Sequence, residues 1–207
     1  MKFILTFDGE LHPNGTPAEK WEIRQHLHPQ LQELWSIHPS LQSLKRNPYM
    51  SKLGSFHTDQ HHSVETLLQP AVQPPHSINL CEEIERGGRR FLPLVREMLA
   101  LKCSLKIHFL RKEDTGRIYQ GGDLDNRLKT LFDGLSVPQR EQVMPDATSD
   151  DPIYCLLEDD GLIRGLDIST HRLLSRPGTS KYDVRLIIEA DVSVTQNRLY
   201  NAAFLGD

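Results

Sequence analysis

Gly121-Gly122-Asp123-Leu124-Asp125-Asn126-Arg127-Leu128-Lys129-Thr130-Leu131-Phe132-Asp133-Gly134-Leu135 is the most informative stretch of this 207-residue chain. Leu124, Leu128, Leu131, Phe132 and Leu135 recur at the spacing of a helix with one buried face. Two glycines and a run of acidic residues precede that stripe and suit the positive start of a helix. Asp125, Lys129 and Asp133 follow at four-residue spacing and share one face. Asp123 and Asp125 stand where a loop enters the helix. Two such carboxylates can converge on one cation, or can simply cap the helix, with Lys129 pairing across a turn. Mg²⁺ takes hard oxygen ligands and is commonly held by only one or two protein carboxylates, which leaves room for water and phosphate.

The neighbouring segments extend this reading on both sides. Upstream, Cys103-Ser104-Leu105-Lys106-Ile107-His108-Phe109 alternates apolar and polar with period two, as a half-buried strand does. A charged turn, Arg111 to Arg117, joins it to Gly121. Downstream, Val137-Pro138 stops the helix. The connection over 138–156 is long and rich in Asp and Pro, and Asp146, Asp150 and Asp151 in it read as an exposed acidic loop or as further ligands. Leu157-Glu158-Asp159-Asp160-Gly161-Leu162-Ile163 then forms a second acidic corner. Strands follow at 166–174 and 183–190, and the spacing predicts an antiparallel hairpin between them.

Gly-Asp-Leu-Asp-Asn-x-x-Lys-x-x-x-Asp-x-Leu, followed by Leu-Glu-Asp-Asp ahead of a strand, resembles the signature of the RusA-type Holliday junction resolvases. The resemblance spans about residues 101–192. It implies an Mg²⁺-dependent endonuclease, with Mn²⁺ as a possible substitute, acting as a homodimer on four-way DNA junctions. It assigns Asp123, Asp125 and Asp160 as metal ligands, with Asp159 the alternative to Asp160 and Glu158 the weaker choice. Lys129 would contact the scissile phosphate or the leaving oxygen. Asn126 either orients a ligand or caps the helix. Arg89, Arg90, Arg127 and Lys129 are the expected DNA contacts. The segments at about 8–80 and 138–156 depart from the compact family pattern as insertions. They leave two alternatives open: a same-fold nuclease for other branched DNA, or a non-catalytic DNA- or protein-binding module.

The remaining sequence sets the frame. Residues 2–7 read as a first strand, and helices are expected near 17–35, where His28-Pro29 is a candidate break and Leu31, Leu34 and Trp35 continue the stripe, and near 91–100. Ile84-Glu85-Arg86-Gly87-Gly88-Arg89-Arg90 reads as a glycine turn among arginines. It offers backbone N–H groups and guanidinium forks to phosphate, or is an ordinary solvated hairpin. His57, His61 and His62 have helix-face spacing, but Thr58 stands where the H-E-x-x-H motif of a zinc protease carries its glutamate. The fold expected is a single α/β (α+β) domain, a small mixed β-sheet flanked by helices. Three scattered cysteines, Cys81, Cys103 and Cys155, fit a reducing compartment, the cytoplasm by default. No apolar run reaches the length of a membrane span, and the start of the chain is too weakly apolar for a signal peptide. Net charge of −4 counts against a generic DNA-coating protein, whose affinity comes from neutralising phosphate, but leaves a site with local basic patches possible.

Overall fold

The computed structural model describes residues 1–46, 48–51, 77–112, 123–144, 152–174, 180–197 and 199–205. The fold is mixed α+β, as expected. Its centre is a four-stranded sheet of β1 (Lys2–Glu10), β6 (Leu101–Arg111), β8 (Ile163–Arg172) and β9 (Asp183–Val194), in the order β1-β9-β6-β8. Strand β6 is the spine of the sheet. Leu101, Cys103, Leu105, Ile107 and Phe109 are buried on one face, while Lys102, Ser104, Lys106 and His108 point the other way. That alternation is the period-two pattern of a strand with one face in the core. β6 runs antiparallel to β9 and parallel to β8. The chain between β6 and β8 must therefore cross over, and it carries helix α3 (Asp123–Leu135) and β7 (Ile153–Leu157) as it does so.

Two helices cover the inner face. α1 (Pro17–Ile37) starts with a capping box: the Thr16 hydroxyl accepts from Glu19 N, and Glu19 reaches back to Thr16 N at 2.6 Å. The candidate break at His28-Pro29 does not occur, and α1 runs through Pro29 as one helix, in line with the helix expected near 17–35. Leu27, Leu31 and Trp35 are buried on its inner stripe, and that burial outweighs the single backbone bond Pro29 cannot make. α3 buries Leu128, Leu131 and Leu135 in the same core. α1 and α3 approach closely at Gly134, where an added Cβ would lie 2.6 Å from Ile23 Cγ2.

A second, three-stranded sheet has the order β4 (Ile84–Arg86), β5 (Arg89–Val95), β7. Here two expectations fail. The apolar run from Phe91 is a strand over Arg89–Val95, not a helix, because β7 supplies a parallel partner and the run is buried throughout. β4 pairs only with Arg89–Phe91, so Pro93 lies where β5 has one neighbour instead of two. The expected β8–β9 hairpin does not form either, because β6 lies between them. α2 (Pro39–Arg46) and a short pair, β2 (Tyr49–Ser51) with β3 (Ser77–Asn79), complete the described elements, apart from three short 3₁₀ turns.

The outer face of the main sheet carries a ladder of ion pairs: Lys2–Asp191 at 3.6 Å, Lys106–Glu189 at 3.1 Å and Arg185–Asp8 at 2.6 Å. Such a face can meet water directly.

Candidate metal and nucleic-acid site

The two acidic corners are built differently. Asp123 opens α3, though its side chain lies outside the described residues, as do Gly121 and Gly122. Asp125 and Lys129 are exposed on the first turns of the helix. Asn126 is half-buried, and its carbonyl accepts from the Thr130 hydroxyl at 3.1 Å. The same hydroxyl oxygen accepts from Gly15 N at 2.8 Å. The loop after β1 is thereby pinned to α3. Asp133 does not join Asp125 and Lys129 in an exposed row. It pairs with Lys20 of α1 at 2.7 Å.

The second corner is a 3₁₀ turn, Asp160–Leu162, between β7 and β8. Asp159 caps it, its Oδ1 accepting from Gly161 N at 2.8 Å. Glu158 accepts from Glu97 N at 3.2 Å, and Lys102 Nζ donates to the Gly161 carbonyl at 3.1 Å. Asp160 is exposed at the head of the turn. One carboxylate of the pair is thus occupied with shaping the turn, and the other projects from it.

Within one chain the structure does not bring these corners together. β8 starts beside Cys103, so the acidic turn lies at the β6 start. The first turns of α3 lie at the opposite end. Arg127 stacks over Tyr182 at 5.4 Å, and Tyr182 adjoins Asp183, the residue paired with Glu10 at the end of β1. From Lys102 to Arg111 the strand covers about 30 Å. α3 runs back along it, so that Ser136 bridges Leu157 just ahead of the acidic turn. Asp125 is then about 16 Å from Ser136 along the helix axis. Within one protomer Asp125 therefore lies away from Asp160, and the Asp123 side chain lies outside the described residues. Among the described residues, no three His, Cys, Asp or Glu side chains converge as a metal-holding group.

The expected DNA contacts divide. Lys129 is exposed, as a phosphate contact must be. Arg127 is 1% exposed and packs under Tyr182, so it is a packing residue and not a DNA contact. The hairpin at Gly87-Gly88 is real: both glycines have positive φ, 56° and 78°, the geometry of a tight two-residue turn. Arg90 is held by Glu83 at 2.8 Å, Arg89 is half-buried, and Arg86 is exposed. His57, His61 and His62 lie outside the described residues, as do Asp146, Asp150 and Asp151.

Three groups were not legible beforehand. His12 sits close to the first turns of α3, its Nδ1 2.5 Å from Glu19 Oε1 and its ring 4.1 Å from that of Tyr182. Burial pushes the Glu19 carboxyl up, but Thr16 and His12 outweigh it and hold Glu19 below the usual carboxylate range. Arg96 is buried near the acidic turn, its guanidinium donating to the Glu82 carbonyl at 2.9 Å. Burial lowers its pKa, and Glu158 and Glu82 oppose that. Lys102 is the third. Only its outward register on β6 could have drawn attention to it.

No described helix is long and apolar enough to cross a membrane. No protein-family model, curated protein or solved structure matches this chain.

Proposed function

We propose that the chain is a divalent-metal-dependent endonuclease for branched DNA, with four-way junctions as the first substrate. We further propose that its site is shared between two copies. The observation that supports this is that Asp125, on the first turn of α3, and Asp160, on the turn ahead of β8, are both exposed and lie toward opposite ends of β6. In a two-fold dimer with antiparallel strands, the helix start of one protomer can face the acidic turn of its partner, twice over. Mg²⁺ or Mn²⁺ bound there would polarise the phosphate and activate water. Asp123, Asp125 and Asp160 would hold the ion, and Lys129 would meet the scissile phosphate. A junction with near two-fold symmetry would receive two matched nicks. We place the protein in the reducing cytoplasm, a reading with which three free thiols agree.

A second reading, a DNA- or protein-binding module without catalysis, draws on the same separation, because the described residues of one chain offer no metal-holding group. The deciding experiment is an Mg²⁺-dependent cleavage assay on synthetic four-way junction, flap, duplex and single-stranded DNA. Asp125→Asn and Asp160→Asn run alongside. The proposal expects wild-type nicking of branched DNA and none from either folded variant. Full cleavage by either variant, or a folded wild type that cuts none of these, would overturn it.

A further inference from the structure

A cleft of about 460 Å³ lies directly beside the acidic turn. One wall is the β4–β5 hairpin with Ile84 and Arg86, and the facing wall is Val137-Pro138-Gln139. Lys102, Glu97, Glu158, Asp159 and Gly161 line the space between. The volume falls in the range that holds small ligands, and one nucleotide fits that class. The hairpin wall is anchored. Gly87 packs on Val143, where an added Cβ would lie 2.8 Å from the Val143 Cβ.

The cations of this cleft differ from those of its surroundings. Arg90 is held by Glu83, whereas Arg86 Nη1 donates to the neighbouring Glu85 carbonyl at 2.9 Å and its guanidinium, with five N–H donors, keeps others for a ligand. Lys102 donates one of three N–H bonds to Gly161 and keeps two. Two of the three carboxylates are engaged: Glu158 accepts from Glu97 N and lies near the buried Arg96, and Asp159 accepts from Gly161 N, while the Glu97 side chain is exposed. They would still repel an anion unless a divalent cation sits at the turn.

Resting on the nuclease reading, we infer that this cleft takes the nucleotide next to the one being cut, with its phosphodiester gripped by Arg86 and Lys102. The strand would pass from Asp160, at the head of the acidic turn, into the cleft. The basic hairpin therefore acts through Arg86, not through Arg90.

Binding of a labelled four-way junction, measured by fluorescence anisotropy in Ca²⁺ over a salt series, tests this. Arg86→Ala and Lys102→Gln should each weaken binding about tenfold and reduce the salt slope by about one, as loss of one phosphate contact does. Arg86→Lys should restore the slope, and Arg90→Ala should change it least. Wild-type affinity and slope in both folded variants would overturn the assignment. So would a larger loss from Arg90→Ala than from Arg86→Ala. A wild type that binds junctions but never nicks them would sink the nuclease reading, while a reduced slope in Arg86→Ala would still uphold the cleft. A wild type with no DNA affinity sinks both.

Discussion

Mixing two inactive variants asks directly whether the acidic corners work together, and across which chains. Carboxylate oxygens on one Mg²⁺ each lie about 2 Å from it, so they sit within about 4 Å of one another. Within one protomer Asp125 lies about 16 Å of helix axis from Ser136, the residue that borders the acidic turn through Leu157. A site shared between protomers therefore takes Asp123 and Asp125 from one chain and Asp160 from the other. Asp125→Asn and Asp160→Asn homodimers then lack a complete site. After subunit exchange, half the dimers are mixed. Each mixed dimer carries one doubly damaged site and one intact site. The mixture should regain about a quarter of the wild-type sites. The readout is single-strand nicking of a junction labelled on one strand, because one intact site cuts once and does not resolve. Sedimentation would show that both variants are dimers and exchange. A mixture as inactive as its components, under conditions where mixed dimers form, would refute the shared site.

Three further outcomes follow from the packing. Arg24 Nε and Nη2 donate to the Ser136 carbonyl at 3.2 and 3.0 Å, and Nη2 donates to that of Asp133, which closes the end of α3 from α1. Arg24→Met strands those carbonyls and should lower stability by about 2–3 kcal/mol in urea unfolding, the loss of charged hydrogen bonds exceeding the relief of a buried cation. A change within about 0.5 kcal/mol would mean that other groups close the helix. Glu19, with its pKa held down, contributes fully above its unfolded pKa and loses that contribution as pH falls through the folded value. The stability gap between wild type and Glu19→Gln should therefore be constant near neutrality and narrow below about pH 4. A gap unchanged down to about pH 2.5 would contradict the capping role of Glu19. Burial pushes the Cys103 thiol up to about 12 and the Cys155 thiol up to about 11, so neither forms thiolate at pH 8. Mass spectrometry after brief native alkylation should find the half-buried Cys81 labelled first, and labelling of Cys155 ahead of it would show that the cluster it forms with Trp21, Phe91 and Ile153 opens readily.

Local periodicity fixed much of the inventory. The stripe from Leu124 to Leu135 reads as a helix because residues three and four apart share a face, and the alternation from Cys103 to Phe109 reads as a strand because successive side chains oppose. The Gly87-Gly88 turn was legible for a similar reason, since glycine alone enters positive φ without penalty. The run Phe91–Val95 was not, because a fully buried strand and a buried helix present the same apolar letters.

The order of strands could not be read from any local pattern. That β6 separates β8 from β9 depends on which edges bury most surface together, a property of the assembled core. The same holds for the site. The sequence by itself placed carboxylates at a helix start and on a turn, because residue type and spacing set those. Only the tertiary structure decided that a parallel crossover puts the two at opposite ends of β6, that Arg127 is packed under Tyr182, and that Arg86 faces a cleft while Arg90 is held by Glu83. Each outcome is fixed by long-range packing, which one-dimensional spacing does not encode.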